Sequence, residues 1–153
     1  MDKNGHAGNY YEDWQLGDEY VSMGRTLTTT DIETYTNYMG DYNPLYTDEE
    51  FAKREMYGTR IAPELLIHAI SIGQVSQTRL FEGTMLGFVK VGIDFVNPVK
   101  PGDTIFTKGK FVEKKETVRK QQGIVNFYAE IMNQRGEIIM KSNQFIAIQK
   151  KNV

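Results

Sequence analysis

A short segment in the first third of the chain brings together an acid, an amide and a phenol. It runs from Gly40 to Tyr46 and reads Gly-Asp-Tyr-Asn-Pro-Leu-Tyr, a composition that favours a turn. A turn that carries so many polar and aromatic side chains often has a function. An ordinary phenol has a pKa of about 10, so Tyr46 is a poor base at neutral pH. The alternative is that Asp41 only caps a turn and that Tyr46 is a buried phenol with one hydrogen-bond partner.

A second candidate pair consists of Glu64 and His68. Residues four apart share one face of a helix, so these side chains could form an acid–base pair that works near neutral pH. The alternative is that Glu64 interacts favourably with the helix dipole and that His68 is a core or interface histidine. A metal site is not expected, because the sequence has two histidines and no cysteine.

The composition restricts the class of protein. At 153 residues the chain has room for one domain, predicted over residues 10–153 after a flexible polar segment at residues 1–9. Its 18 Lys and Arg and 20 Asp and Glu give a net charge of −2 without charged blocks, so a nucleic acid is not an expected partner. The lack of cysteine and of any apolar run of about 18 residues favours a cytoplasmic protein that does not bind a membrane.

The residues around the candidates predict one strand, a group of helices and then four strands. The first strand is predicted over residues 19–27, followed by a helix that Thr30 caps and Gly40 ends. A second helix starts at the acidic residues 48–50, and a third, over residues 62–78, is apolar around most of its circumference. The later strands are predicted at residues 89–95, 104–112, 124–133 and 138–149.

This order of elements predicts the fold. A helix that is apolar on nearly all sides must be covered, and only strands follow it in the chain. One antiparallel sheet of five strands, curled around that helix, satisfies the requirement, and the earlier helices form an excursion after the first strand. The predicted class is therefore α+β with the hotdog architecture: a sheet wrapped around a central buried helix.

Three segments in this order resemble signatures of one hotdog family. They are residues 40–52, which contain the loop above, residues 60–62 before the buried helix, and residues 97–103, which read Asn-Pro-Val-Lys-Pro-Gly-Asp. Together they resemble the MaoC-like dehydratase family, which includes the R-specific enoyl-CoA hydratases. The resemblance covers most of the chain, from about Trp14 to Ile148.

The resemblance implies addition or removal of water at the double bond of an acyl thioester, carried on coenzyme A or acyl carrier protein, with no further cofactor. In the family pattern an Asp and a His activate the water, while a backbone N–H at the start of the buried helix polarises the thioester carbonyl. The Asp falls on Asp41, and Asn43 and Pro44 match the loop. The His position, however, is Tyr46.

The start of the buried helix also departs from the pattern. The usual Ala-His-Gly is Ala62, Pro63 and Glu64 here. Glu64 keeps a backbone N–H that can act as oxyanion donor, but its side chain crowds a place that glycine normally leaves open. The resemblance thus implies that Asp41, Tyr46 and Glu64 are catalytic. The implied substrate-binding residues are Asn43, Pro44, Ala62, Pro63 and His68.

Tyr46 and Pro63 also resemble the N-terminal domain branch of the family, whose members often work beside a second hotdog that carries the intact Asp and His. The expected assembly is a homodimer, or a heterodimer with a second hotdog chain. Two alternative functions follow. The chain could be a non-catalytic acyl-binding subunit, or an acyl-CoA thioesterase that uses Glu64 as base or nucleophile.

Two further groups could serve such a substrate. Tyr35, Tyr38 and Tyr42 either line an acyl or aromatic pocket or pack the helical excursion onto the sheet. A phosphate-rich carrier requires cations near the mouth of the protein's substrate tunnel. A basic cluster between the third and fourth predicted strands either supplies these cations or is a solvated loop. Its members are Lys114, Lys115, Arg119 and Lys120.

Overall fold

The computed structural model describes residues 8–151, which form one six-stranded sheet, four α-helices and a short 3₁₀ helix (Tyr11–Asp13). The strands are β1 (Glu19–Val21), β2 (Arg25–Thr26), β3 (Met85–Phe95), β4 (Thr104–Glu116), β5 (Gln122–Asn133) and β6 (Ile138–Gln149). The helices are α1 (Thr29–Met39), α2 (Pro44–Thr47), α3 (Glu49–Ala52) and α4 (Glu64–Gln77). All strand pairs are antiparallel, in the order β1-β4-β5-β6-β3, with β2 also pairing with β4. This is the α+β sheet with a central helix that the sequence predicts.

The predicted flexible segment at residues 1–9 lies mostly outside the described residues. Its last two residues are described, and both donate backbone hydrogen bonds: Gly8 to the Glu82 carbonyl at 3.1 Å and Asn9 to the Leu80 carbonyl at 2.8 Å. Residues 8 and 9 are therefore attached to the turn that follows α4.

The first predicted strand is broken in two, which gives six strands rather than five. The break falls between Val21 and Arg25, where the Ser22 hydroxyl accepts a hydrogen bond from Thr107 N–H at 2.9 Å. The side-chain amide of Gln74 on α4 donates to the Met23 carbonyl at 2.9 Å. Side chains thus satisfy backbone groups that a continuous ladder would have paired, so the strand can bend around α4.

Helix α1 begins two residues earlier than predicted. Thr28, not Thr30, is the N-cap: its hydroxyl accepts from Asp31 N–H, and the Asp31 carboxylate accepts from Thr28 N–H, which is a reciprocal capping box. The predicted end is confirmed, since Gly40 adopts a left-handed conformation with φ of 71° and donates to the Thr36 carbonyl.

Helix α4 is shorter and less enclosed than predicted. It runs from Glu64 with Pro63 as N-cap, and it buries Leu66, Ile67 and Ile70 against the sheet. The opposite face is open, because the side chain of Leu65 is 53% exposed and Ala69 and Gly73 are exposed too. The prediction of a helix buried on all sides is therefore wrong for a single chain, since the sheet covers only one side of it.

The core fills the concave side of the sheet. Strand β5 alternates as predicted, and its inward residues Val125, Phe127, Ala129 and Ile131 are at most 1% exposed. At one end of the sheet, Trp14 packs edge-on against Phe127 with ring centres 4.8 Å apart. The other end packs aliphatic side chains around the start of α4. Within residues 8–151 no helix is both long and apolar enough to cross a membrane.

Candidate active site

The loop between α1 and α2 is held by its own side chains. Asn43 caps α2, because its Oδ1 accepts from Leu45 N–H at 3.0 Å, and Pro44 occupies the first helical position. The Asp41 carboxylate is exposed and accepts from Asn43 N–H at 3.3 Å. Asn43 and Pro44 therefore shape the loop, as predicted, and Asp41 keeps a carboxylate that faces solvent.

Tyr46 joins this loop to the start of α4. Its ring is 9% exposed and belongs to the core, while its hydroxyl donates a hydrogen bond to Glu64 Oε2 at 3.1 Å. Eighteen residues separate the two in the sequence. The prediction that Tyr46 is a buried phenol with one hydrogen-bond partner is confirmed, and the partner is the carboxylate of another candidate.

The electrostatic surroundings of Tyr46 keep its phenol protonated. Burial, and then the negative charges of Glu64 and Asp41, raise the pKa of Tyr46 to about 12. At neutral pH the hydroxyl is therefore a hydrogen-bond donor and not a base. The hydrogen bond from Tyr46 to Glu64 is the contact that joins the loop to the helix start.

The first turn of α4 presents a free backbone donor. Ala62 N–H is used inside the fold, since it donates to the Val99 carbonyl at 2.8 Å, and Pro63 has no N–H to offer. Among the described residues none accepts a hydrogen bond from Glu64 N–H. A free N–H at a helix N-terminus, where the dipole is positive, can stabilise a negative oxygen.

Within the described residues no hydrogen bond joins His68 to this arrangement. Of the two alternatives for Glu64 and His68, the structure favours separate roles, because Glu64 accepts its hydrogen bond from Tyr46. The His68 ring is half-buried, its Nδ1 is buried without a partner among the described residues, and burial lowers its pKa. A neutral imidazole on the flank of α4 can line a channel for substrate.

Two of the cavities beside α4 differ greatly in size. Behind its first turn, a space of about 10 Å³ among Ala62, Glu64 and Ile67 has room for no more than one water molecule. Along the same helix, about 12 Å from Glu64 by the rise of eight residues, a cavity of about 270 Å³ opens between α4, β3 and β6. Its lining includes Ile72, Val75, Phe81, Met85, Phe88 and Ile146.

Sequence reasoning missed the larger cavity. Ile72 and Val75 contribute to the apolar pattern of the helix, and the pattern alone does not separate a residue packed on the sheet from one that lines a cavity. Helix α4 carries more apolar residues than one sheet can cover, and this excess was the signal in the sequence.

The remaining predicted groups lie outside the site. Tyr38 and Tyr42 are 88% and 60% exposed, so they do not pack the excursion onto the sheet, whereas Tyr35 packs against the core. Tyr35 and Tyr38 line an open pocket of about 330 Å³ beside Leu66 of α4, so these two line a pocket, as one of the two alternatives expects. The basic cluster lies at the β4–β5 hairpin, at the opposite end of β4 from the loop that contacts Ala62. There, Lys114 donates to the Trp14 carbonyl and Lys115 forms an ion pair with Glu113. Within this chain the cluster is not at the mouth of the site.

The family of the chain follows from comparison with known proteins. The MaoC like domain family matches residues 14–130, a range that contains the loop, Tyr46 and the whole of α4. The chain belongs to this family. MaoC-like relatives include proteins named as hydratases and dehydratases, and the structural neighbours share the hotdog fold.

Three relatives illustrate the relationship. The chain is 28% identical to β-methylmalyl-CoA dehydratase of Chloroflexus aurantiacus over 99% of its own length, and 31% identical to 3-hydroxybutyryl-CoA dehydratase of Methylorubrum extorquens over 68%. It spans only 43% of the first relative and 64% of the second. A crystal structure described as a monoamine oxidase regulatory protein from an Archaeoglobus species superposes with a TM-score of 0.88 at 34% identity, covering 94% of this chain and 96% of that one.

Proposed function

We propose that this MaoC-like chain is an acyl-thioester hydratase or dehydratase that acts on an enoyl or 3-hydroxyacyl group. The observation that carries the proposal is the hydrogen bond from the Tyr46 hydroxyl to the Glu64 carboxylate, which joins the loop that bears the exposed carboxylate of Asp41 to the helix start that bears the unpaired N–H of Glu64. Addition of water to an enoyl thioester requires a base for the water and a donor for the carbonyl oxygen, and the site supplies both.

In the hydration direction, Asp41 acts on the water molecule and the start of α4 acts on the thioester oxygen. Asp41 takes a proton from water as the water oxygen bonds to C3, and the electron pair of the double bond moves onto the thioester oxygen. The Glu64 N–H stabilises the negative oxygen that results. Return of a proton to C2 completes the addition. The Glu64 carboxylate, oriented by the Tyr46 hydroxyl, is placed to assist a proton transfer, while Tyr46 itself remains protonated.

The acyl chain would extend along α4, past His68, towards the cavity of about 270 Å³. This direction is favoured because the space behind the first turn holds one water at most. Coenzyme A or a carrier protein would present the thioester, no further cofactor is required, and a cytoplasmic location suits such a substrate.

A second hotdog chain would complete the assembly. Strand β3 is an edge strand of the described sheet and α4 leaves one face open, so pairing at this side would cover both. The chain spans only 43% of one curated relative, and one structural neighbour of the same fold is titled as a HadBC complex. A heterodimer in which this chain only binds the acyl group is the second candidate, favoured by the protonated phenol at the usual histidine position.

The test is hydration of crotonyl-CoA by the purified chain, followed by loss of the conjugated thioester absorbance. Asp41→Asn should reduce kcat by about 10²-fold or more, as expected for a lost general base, and Tyr46→Phe should reduce it less. Glu55→Gln removes an exposed carboxylate that is not part of the described site and should leave the rate unchanged.

Other outcomes select the alternatives. Full activity in Asp41→Asn would refute the assigned role of Asp41. An inactive native chain that gains activity as Tyr46→His would favour the acyl-binding subunit, and release of free thiol without loss of the double bond would favour a thioesterase.

A further inference from the structure

A layer of buried polar side chains lies between the two apolar clusters of the core. On β6 the inward positions run from Met140 of one cluster, through Ser142 and Gln144, to Ile146 of the other. Thr107 takes a similar place on β4. Buried polar side chains are normally hydrogen-bonded, so each member of this layer needs a partner.

Gln144 uses only one end of its amide. Its Nε2 donates to Ser142 Oγ at 3.0 Å, and no described residue donates to its Oε1. Gln74, by contrast, uses both ends, since its amide donates to two carbonyls and its oxygen accepts from the Thr107 hydroxyl. The Gln144 oxygen is not one of the unpartnered atoms that are closed off from solvent, such as His68 Nδ1. It is therefore accessible, although the residue as a whole is only 3% exposed.

The accessible end of Gln144 belongs to the large cavity beside α4. Gln144 lines that cavity of about 270 Å³ together with apolar side chains that include Phe88 and Ile146. The other polar residues that line it are exposed, which places them at the rim: Ser76, Arg79 and Glu82. Among the described lining residues, Gln144 is thus the one polar group that an occupant meets inside.

The packing of the sheet does not require glutamine at this position. Gln144 lies opposite Phe127 of β5 and Val91 of β3, and Ile146 follows it on the inner face. An aliphatic side chain would pack among these residues without a polar group to satisfy, whereas a buried amide is costly when one end lacks a partner. A ligand in the cavity would supply that partner.

We propose that Gln144 recognises a hydroxyl group on the distal part of the acyl chain, so that the substrate is an acyl thioester hydroxylated towards its far end. This rests on the proposed function and names the substrate class. The proposed hydroxyl is distinct from the one that water addition places on C3. Gln144 is then a specificity-determining residue that contacts the chain and takes no part in the addition of water.

A hydroxyl fits this environment better than other polar groups. The Ser142 hydroxyl can donate as well as accept, so the Gln144 amide can turn either its oxygen or its NH₂ group towards the cavity. A hydroxyl pairs with both, whereas a ketone only accepts. The charged residues that line the cavity, Arg79 and Glu82, pair with each other at 2.6 Å. A carboxylate on the chain would therefore be buried without a counter-charge.

Distance separates this contact from the chemistry. The cavity begins about 12 Å from Glu64 along α4, at Ile72. The three carbon–carbon bonds of a crotonyl group, at about 1.5 Å each, cover less than half of that distance. Crotonyl-CoA therefore does not reach Gln144, and only longer chains should respond to a change at this residue.

The test measures binding of saturated acyl-CoAs to the intact chain by isothermal titration calorimetry, since these probes cannot be hydrated. Octanoyl-, decanoyl- and dodecanoyl-CoA are each compared with the counterpart that carries a hydroxyl on its last carbon. For at least one length the wild type should bind the hydroxylated probe about tenfold more tightly, as expected for one neutral hydrogen bond. Gln144→Leu should abolish this preference and leave the hydration of crotonyl-CoA unchanged.

Ser142→Ala is the matched control, because it removes the internal partner of Gln144 and keeps the amide. The preference should remain in this variant even where its stability falls. Circular dichroism checks that every variant is folded, and Gln144→Met, of similar length, repeats the test where Gln144→Leu does not fold.

Equal affinity for the two probes at every length, or a preference that survives in Gln144→Leu, would overturn the proposal. Crotonyl-CoA hydration by the same samples separates it from the proposed function. A preference for the hydroxylated probe without hydration activity refutes the proposed function alone, and hydration activity without the preference refutes this inference alone.

Discussion

Replacement of Gln74 by leucine should destabilise the fold, because this side chain joins α4 to the break in the first strand. Gln74 is 3% exposed. Its amide donates to the carbonyls of Met23 at 2.9 Å and Ile105 at 2.8 Å, and its oxygen accepts from the Thr107 hydroxyl at 2.8 Å. Gln74→Leu retains the apolar stem of the side chain and removes all three hydrogen bonds.

The magnitude follows from the groups that lose a partner. The Met23 carbonyl keeps the hydrogen bond from the Ser22 hydroxyl, so it remains satisfied. The Ile105 carbonyl and the Thr107 hydroxyl each lose their bond to Gln74, and a buried polar group without a partner costs about 1–3 kcal/mol. The variant should therefore lose about 2–6 kcal/mol of unfolding free energy, a large part of the roughly 5–15 kcal/mol typical of a domain.

Urea unfolding measures this loss, and the fluorescence of Trp14, the single tryptophan and 3% exposed, reports on the core. Gln77→Leu makes the same change at an exposed position of α4 and should alter stability by less than about 0.5 kcal/mol. A loss below about 1 kcal/mol in Gln74→Leu would refute the reasoning, since it would mean that the buried carbonyl and hydroxyl find other partners.

Three further predictions concern acid stability, catalysis and substrate range. Burial alone would raise the pKa of Asp103, but hydrogen bonds from Lys100 N–H, Gln134 and Arg135 hold that pKa below its ordinary value. The ionised carboxylate should therefore stabilise the fold above about pH 4, and this stabilisation should be lost as the pH falls further. Comparison of the urea midpoints of Asp103→Asn and the wild type across this pH range tests the prediction. Because the pKa of Tyr46 is raised to about 12, Tyr46→Phe should remove no inflection from the profile of kcat/KM between about pH 5 and 10; the loss of one would contradict a protonated phenol. Val75→Trp should fill the large cavity and lower kcat/KM about tenfold for an eight-carbon enoyl-CoA while sparing crotonyl-CoA, and equal losses for both would place the acyl chain elsewhere.

The sequence by itself determined the features that depend on neighbouring residues. The alternation of Val125, Phe127 and their neighbours specifies a half-buried strand, because side chains of a strand point alternately to its two faces. Gly40 ends α1, and Asn43 and Pro44 form the loop, because the conformations they favour are local. The order of strands and helices, together with three short motifs, was enough to predict the hotdog fold and the family that the chain matches.

Tertiary structure decided which distant groups meet. Tyr46 binds Glu64 across eighteen residues, and His68, the partner that helical spacing suggests, does not take part. The break in the first strand depends on Gln74, which the chain supplies about fifty residues later. The apolar pattern of α4 indicates that most of its surface is buried. Only the curvature of the sheet decides which face of the helix the sheet covers and which face stays open. The periodicity of the sequence indicates whether a residue needs a buried or an exposed environment. Which residues form that environment is set by strand register and by packing over the whole chain.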